Sequence, residues 1–221
     1  MNADLGTLRR EYAQDALIEE TAAPDPVTQF AAWFAEAQAD DGIADANAMT
    51  LATADASGRP SARIVLLKGF DDEGFIFYTN YRSRKGRELA DNPCAALTFW
   101  WPALERQVRV EGRAERLPPE ASDDYFRQRP RPSRLGAHAS PQSQPISGGR
   151  AQLEERFEEA RTRFDGQEDV PRPGHWGGYR IAPVQVEFWQ GRPGRLHDRL
   201  RYRRSEGDDA GAGWTLQRLA P

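Results

Sequence analysis

Two groups of residues in this 221-residue chain have types and spacings suited to chemistry. The first lies in residues 63–85, RIVLLKGFDDEGFIFYTNYRSRK. Ser83 stands where it can cap a short helix, with Arg82, Arg84 and Lys85 beside it. Cations, a hydroxyl and free backbone N–H groups then gather at one helix N-terminus, which suits an oxyanion and phosphate above all. A solvated basic turn has the same residue types, and spacing alone does not separate the two. The second group is RLHDR at 195–199. If extended, it puts Arg195, His197 and Arg199 on one face, with Leu196, Asp198 and Leu200 opposite. Two guanidiniums flanking an imidazole make an anion-binding, proton-handling surface, whereas a strand edge protected by charge is the plain alternative.

The surrounding chain must supply elements that hold these groups. Ile64 to Leu67 and Phe75 to Tyr78 are β-prone runs separated by the turn residues Asp71, Asp72, Glu73 and Gly74, which predicts a hairpin leading into the Ser83 helix. Asp25-Pro26 is a helix start, and Phe30, Phe34 and Ala37 follow at helical spacing, with Trp33 widening the stripe. AMTLATA from Ala48, the stretch from Cys94 to Trp101 and that from Arg106 to Glu115 read as further strands. In the last of these Val108, Val110, Gly112 and Ala114 share a face, so Gln107 and Arg109 point the other way, toward a ligand or a partner. Val184, Val186 and Phe188 alternate with Gln185, Glu187 and Trp189 in a strand ending at Gln190-Gly191. The expected fold is mainly β with flanking helices (α+β), an antiparallel sheet closing toward a barrel. Residues 1–24 read as a mobile arm and 25–221 as one domain.

Pro118-Pro119 opens a short helix through Tyr125, after which residues 128–150, QRPRPSRLGAHASPQSQPISGGR, hold no acid and read as a loop, functional or disordered. Leu153, Phe157, Ala160 and Phe164 make one face of an amphipathic helix. The basic loop lacks the interleaved aromatics that stack on bases, which argues against nucleic acid as partner. With 30 basic and 34 acidic side chains the net charge is −4, so any anion site is local. The start has no apolar signal core, and no segment approaches the length of a membrane span, so a cytoplasmic protein without membrane contact is expected. The single cysteine, Cys94, rules out an intramolecular disulfide and reads as a small core residue. His138, His175 and His197 lack metal-ligand spacing, so no metal site is expected. Phosphate-loop, dinucleotide, zinc-protease and nucleophile-elbow patterns are missing.

Across nearly the whole chain the sequence resembles the pyridoxine/pyridoxamine 5′-phosphate oxidases. The resemblance is carried by LRREY at 8–12, RIVLLK, FYTN, SRK, LERQVRVEG, YFRQRPRPS, Gln142-Ser143, WGGYR, EFWQG, RLHDR and the final RLAP. It implies a homodimeric split β-barrel with FMN in clefts at the subunit interface. By resemblance, Arg63, Lys68, Tyr78, Thr79, Ser83, Arg84 and Lys85 hold FMN from one subunit. Gln107, Gln142, Ser143, Trp189 and Arg199 complete that site. Lys68, Tyr125, Arg129 and Ser133 take the substrate phosphate. Arg195 and His197 lie over the pyridine ring, and Arg9 and Tyr12 fold over as a lid. The implied reaction oxidises pyridoxamine or pyridoxine 5′-phosphate to pyridoxal 5′-phosphate, with dioxygen as acceptor and hydrogen peroxide as product. A flavin oxidase of the same fold acting on a phenazine precursor, and a non-catalytic carrier of FMN or pyridoxal phosphate, are the alternatives.

Overall fold

The computed structural model describes residues 11, 12, 15–205 and 213–221. The elements run α1 (Pro26–Ala39), β1 (Ala48–Ala54), β2 (Pro60–Leu66), β3 (Gly69–Asp71), β4 (Gly74–Asn80), α2 (Arg84–Asp91), β5 (Cys94–Trp101) and β6 (Arg106–Arg116). They continue with α3 (Pro119–Gln128), α4 (Arg131–Ala139), α5 (Gly149–Arg163), β7 (Trp176–Gln190), β8 (Asp198–Arg204) and β9 (Trp214–Arg218). The strands form one nine-stranded sheet in the order β2-β1-β5-β6-β7-β4-β3, with β8 pairing β7 and β9 pairing β8. No helix among the described residues is long and apolar enough to cross a membrane.

The chain forms two compact units, one of Met1–Thr50, Leu97–Glu111 and Pro183–Pro221, the other of Leu51–Ala96 and Gly112–Ala182. In the first, Asp25 caps α1 as expected, its Oδ1 accepting from the Val27 and Thr28 amides at 2.9 Å each. The apolar stripe of α1 is core: Phe30 packs on Phe99 at 5.0 Å, and Trp33 meets Phe188 edge-on at 5.3 Å. Antiparallel pairing sets Trp189 opposite Arg199 and Gln190 opposite Asp198, and β8 is closed off by β9 from Leu200↔Arg218 to Arg204↔Trp214. Val108 and Val110 are fully buried, and Gln107 and Arg109 lie on the other, half-exposed face, as the alternation required.

In the second unit, β3 and β4 make the hairpin, its turn held by Asp71 Oδ1 accepting from the Glu73 and Gly74 amides. This corrects the expectation that Ile64 to Leu67 form the first arm of that hairpin. Their strand, β2, pairs β1 instead, and β3 is a separate three-residue strand. The predicted loop at 128–150 is also corrected, since it contains α4. Leu135 of α4 packs with Phe164 and Val170 in a small buried cluster that Phe157 of α5 flanks. Arg131 closes this region by donating to the carbonyls of Phe164 and Gln167, both at 2.6 Å. Cys94, expected in the core, is exposed at the start of β5. The extended reading of RLHDR fails too, because 193–195 form a single 3-10 turn and β8 begins only at Asp198.

Gly86 sits on the inner face of α2 where a Cβ would come within 2.3 Å of the Tyr81 carbonyl oxygen and 2.7 Å of that of Asn80. Backbone cannot yield as a side-chain tip can, so Gly86→Ala must push the start of α2 outward. The expected cost is about 1–3 kcal/mol, read as a lower urea midpoint with unchanged slope. A midpoint equal to that of the unaltered protein would contradict this close packing.

Candidate active site

The first cluster is built at the N-terminus of α2. Ser83 is fully buried, and its Oγ accepts from the Gly86 amide at 3.2 Å, the cap expected from sequence. Lys85 lies in the first turn, its Nζ donating to Thr79 Oγ1 at 3.2 Å and to Gln142 Oε1 at 3.0 Å. Burial lowers the pKa of Lys85, and the nearby Arg63 charge lowers it further. Arg63 reaches in from β2 and donates to Leu51 O at 3.3 Å, to Thr53 Oγ1 at 2.5 Å and to Ser61 Oγ. Arg84 is largely exposed, and its Nε donates to Glu88 Oε1 at 2.8 Å. Thus Arg63, Thr79, Ser83, Arg84, Lys85 and Gln142 are brought together. Ser143 follows Gln142 on exposed chain with φ 67°, an uncommon backbone for a serine, and Lys68 is exposed after β2.

Sequence reasoning missed the acid beneath these cations. Glu88 is 5% exposed, and its Oε2 accepts from Thr53 Oγ1 at 2.5 Å, Ser61 Oγ at 2.6 Å and Arg63 Nη2 at 3.3 Å. Desolvation raises its pKa, but hydrogen bonds from Ser61, Thr53 and Arg84, with the Arg84 charge, outweigh that and hold it at about 2. The one signal for it in the sequence is its place four residues after Arg84.

A second cluster lies in the same unit. Tyr78 of β4 stacks on Tyr125 of α3 with ring centroids 3.9 Å apart and planes 10° apart, and Trp176 lies parallel to both. Arg129 places its guanidinium 4.5 Å over the Trp176 ring, and its Nη1 is buried with no hydrogen-bond partner. Burial lowers the pKa of Arg129, and the Tyr125 ring partly opposes this. A buried guanidinium nitrogen without a partner is costly unless an anion completes it. Ser133, in the first turn of α4, is exposed. Trp176 opens the WGGYR stretch, to which the resemblance assigns no site role.

The other unit holds an aromatic cluster. Trp189 and His197 have ring centroids 4.6 Å apart, and Tyr12 meets both edge-on at 5.7 Å. Gly191 permits this, because a Cβ there would stand 2.8 Å from the Tyr12 ring. Trp100, not singled out from sequence, is half-exposed and meets Trp189 at 6.0 Å. His197 Nδ1 accepts from the Arg192 amide at 3.1 Å, so the neutral ring carries its proton on Nε2. Arg195 is exposed with φ 61°, set apart from the strand that carries Arg199. Arg199 Nε donates to Glu187 Oε1 at 2.8 Å, and Arg109 Nη1 donates to Glu187 Oε2 at 3.3 Å. Glu187 is 4% exposed, and its hydrogen bond raises the pKa of Arg199. Gln107 lies half-buried on β6. Arg9 lies outside the described residues.

Fold and clusters together define a class: a mainly antiparallel α+β protein of split-barrel type, with two clusters of basic side chains. Residues 35–164 match the family model described as pyridoxamine 5′-phosphate oxidase, and residues 176–221 match the pyridoxine 5′-phosphate oxidase C-terminal dimerisation region. The chain belongs to the pyridoxine/pyridoxamine 5′-phosphate oxidase family. It is 57% identical over 217 residues to the pyridoxine/pyridoxamine 5′-phosphate oxidase of Salinibacter ruber, covering 98% of this chain and 99% of that one. The same-named protein of Pseudomonas fluorescens is 54% identical, with all of both chains covered. Among solved structures, PhzG from Burkholderia lata, in complex with tetrahydrophenazine-1-carboxylic acid, is 32% identical with a TM-score of 0.84, covering 95% of this chain and 100% of that one.

Burial lowers the pKa of His197 below the ordinary 6.5, and the Arg195 charge lowers it further. The imidazole is therefore neutral at pH 7. An NMR titration should give it a midpoint below 6.5, and Arg195→Leu should move that midpoint upward. A midpoint at or above the ordinary value, unmoved by the substitution, would contradict this environment.

Proposed function

We propose that this chain oxidises pyridoxamine 5′-phosphate and pyridoxine 5′-phosphate to pyridoxal 5′-phosphate, using FMN and dioxygen and releasing hydrogen peroxide. It acts as a homodimer with FMN at the subunit interface, and the reading carries with it a cytoplasmic location. The observation that bears most weight is the pairing of two phosphate-suited centres, one around Ser83 and one around Arg129, in a chain 57% identical to an oxidase so named. The substrate carries one phosphate and FMN the other.

The donor set fits FMN. Arg63, Ser83, Arg84 and Lys85 take its phosphate, with Lys68, Tyr78 and Thr79 beside them, and Gln107, Gln142, Ser143, Trp189 and Arg199 complete the site. FMN, when bound, supplies acceptance of a hydride from the substrate C4′ carbon and transfer of the electrons to dioxygen. The protein's contribution is mostly positioning. Lys68, Tyr125, Arg129 and Ser133 hold the substrate phosphate, and the unpartnered Arg129 Nη1 is the group best placed to gain a charged partner. Neutral His197 offers its Nε2–H to the oxygen or nitrogen on C4′, while Arg195 sets the ring and supplies positive charge. Tyr12, whose ring meets Trp189 and His197, covers this cluster and limits water, and the family resemblance assigns Arg9 to the same lid.

Oxidation of a phenazine precursor is the second reading, favoured by the TM-score of 0.84 to PhzG. The lower identity of 32% and the second phosphate-suited centre weigh against it.

Purified protein should be yellow, and oxygen uptake with pyridoxamine 5′-phosphate should match hydrogen peroxide and pyridoxal 5′-phosphate in equal amounts. Uptake with tetrahydrophenazine-1-carboxylic acid and none with pyridoxamine 5′-phosphate would favour the second reading. Replacing Arg84 and Lys85 together by alanine removes two charge-assisted contacts worth on the order of 1.5–3 kcal/mol each, so that variant should purify folded but largely without flavin. Undiminished flavin content would remove the α2 cluster from the cofactor site.

A further inference from the structure

The buried acid under the α2 cluster has no part in the reading above, and its placement is not that of an ordinary surface ion pair. An exposed pair spaced four residues apart on a helix is worth only a few tenths of a kcal/mol. Here one carboxylate, from Glu88 on α2, is almost fully withdrawn from water and accepts from four side chains on three elements: Thr53 of β1, Ser61 and Arg63 of β2, and Arg84 of α2 itself. Burying a charge for stability alone is a poor bargain, because apolar packing of the same volume does as well or better. The geometry favours another purpose. Oε2 engages the guanidinium of Arg63 and Oε1 that of Arg84, so a single rigid carboxylate fixes both arginines. The Thr53 and Ser61 hydroxyls, which also accept from Arg63, lock the carboxylate in turn.

We propose that Glu88 is a positioning residue for the cofactor phosphate: it holds Arg63 and Arg84 in the arrangement that receives the phosphate and offsets their mutual repulsion and that of Lys85 while the site is empty. This rests on the assignment of FMN to the α2 cluster. The charge count agrees with it. Three cations, Arg63, Arg84 and Lys85, against one carboxylate leave two positive charges, which suits a phosphate monoester of about −1.5 to −2. Coulomb repulsion alone predicts the opposite behaviour, since a carboxylate beside a phosphate site weakens it. The two effects differ in sign, so removing the acid distinguishes them.

The test compares FMN with riboflavin, which lacks the phosphate, by titrating the flavin-stripped full-length chain and following quenching of flavin fluorescence. Glu88→Met keeps volume and removes every acceptor, while Glu88→Gln keeps an oxygen that can still accept. For Glu88→Met, FMN should bind about 10- to 100-fold more weakly, with riboflavin changed by less than about threefold, because only the phosphate contacts depend on the two arginines. Glu88→Gln should recover most of the difference. Should Glu88→Met fail to fold, Thr53→Val, which removes one hydroxyl from the same lock, should lose FMN affinity in the same selective way to a smaller extent. Equal losses for FMN and riboflavin would make Glu88 a merely structural residue. Unchanged or tighter FMN binding would show that its charge only opposes the phosphate. Either result overturns the proposal. If the unaltered protein itself binds FMN no better than riboflavin, the assignment of the phosphate to α2 fails first.

Discussion

Three like charges are brought together at the α2 end of the structure, and holding them there is the constraint that shapes it. Arg63, Arg84 and Lys85 repel one another, and burial depresses the pKa of Lys85 in addition to the effect of Arg63. A surface would leave such groups hydrated and mobile. Here they are held by a buried carboxylate, by the hydroxyls of Thr53, Ser61 and Thr79, and by the amide oxygen of Gln142. The backbone serves the same end: the Ser83 cap and the contact of Gly86 with the Asn80 and Tyr81 carbonyls fix the start of the helix. In the proposed cofactor site, electrostatic cost met in folding need not be met again when phosphate binds, which is the meaning of preorganisation here.

The aromatic residues solve a different problem, that of presenting polar groups at the edge of apolar surfaces. Tyr78, Tyr125 and Trp176 lie in nearly parallel planes with Arg129 over the last ring. The stack leaves a guanidinium nitrogen buried and unpaired, a feature that makes physical sense in a site awaiting an anion. In the other unit, Tyr12 and Trp189 surround His197, and the Arg192 amide fixes its tautomer. Burial, and after it the nearby Arg195 charge, lowers the imidazole's pKa and so favours its neutral form.

Local signals were legible in the sequence where capping or alternation decides the structure. Asp25 before Pro26 marked α1, Ser83 marked α2, and the alternation of Val108 and Val110 with Gln107 and Arg109 marked the faces of β6. Signals failed where tertiary packing decides. Residues 128–150 read as a loop because of their prolines, yet Pro130 and Pro132 fall at the start of α4, where a missing N–H is harmless, and Leu135 supplies the packing that makes the helix worthwhile. RLHDR alternates like a strand, but the turn at Pro193-Gly194 just before it delays β8 to Asp198. The run Phe75 to Tyr78 looks like a hairpin partner for β2, whereas the actual pairing of β2 with β1 depends on the whole sheet. Glu88, in the charged stretch RKGRE, and Glu187, on an otherwise apolar strand, carry no local signal of their partners, and only the three-dimensional structure shows them 5% and 4% exposed beneath arginines.

The central claim is that phosphate anchoring positions the substrate for oxidation, and anaerobic rapid mixing tests it most directly. Flavin bleaching by pyridoxamine 5′-phosphate is compared with bleaching by pyridoxamine, which has the same reacting carbon and no phosphate. The second-order rate of bleaching should be at least about a hundredfold higher for the phosphorylated compound, as expected for loss of one or two charge-assisted contacts. Equal rates for the two compounds would contradict the account.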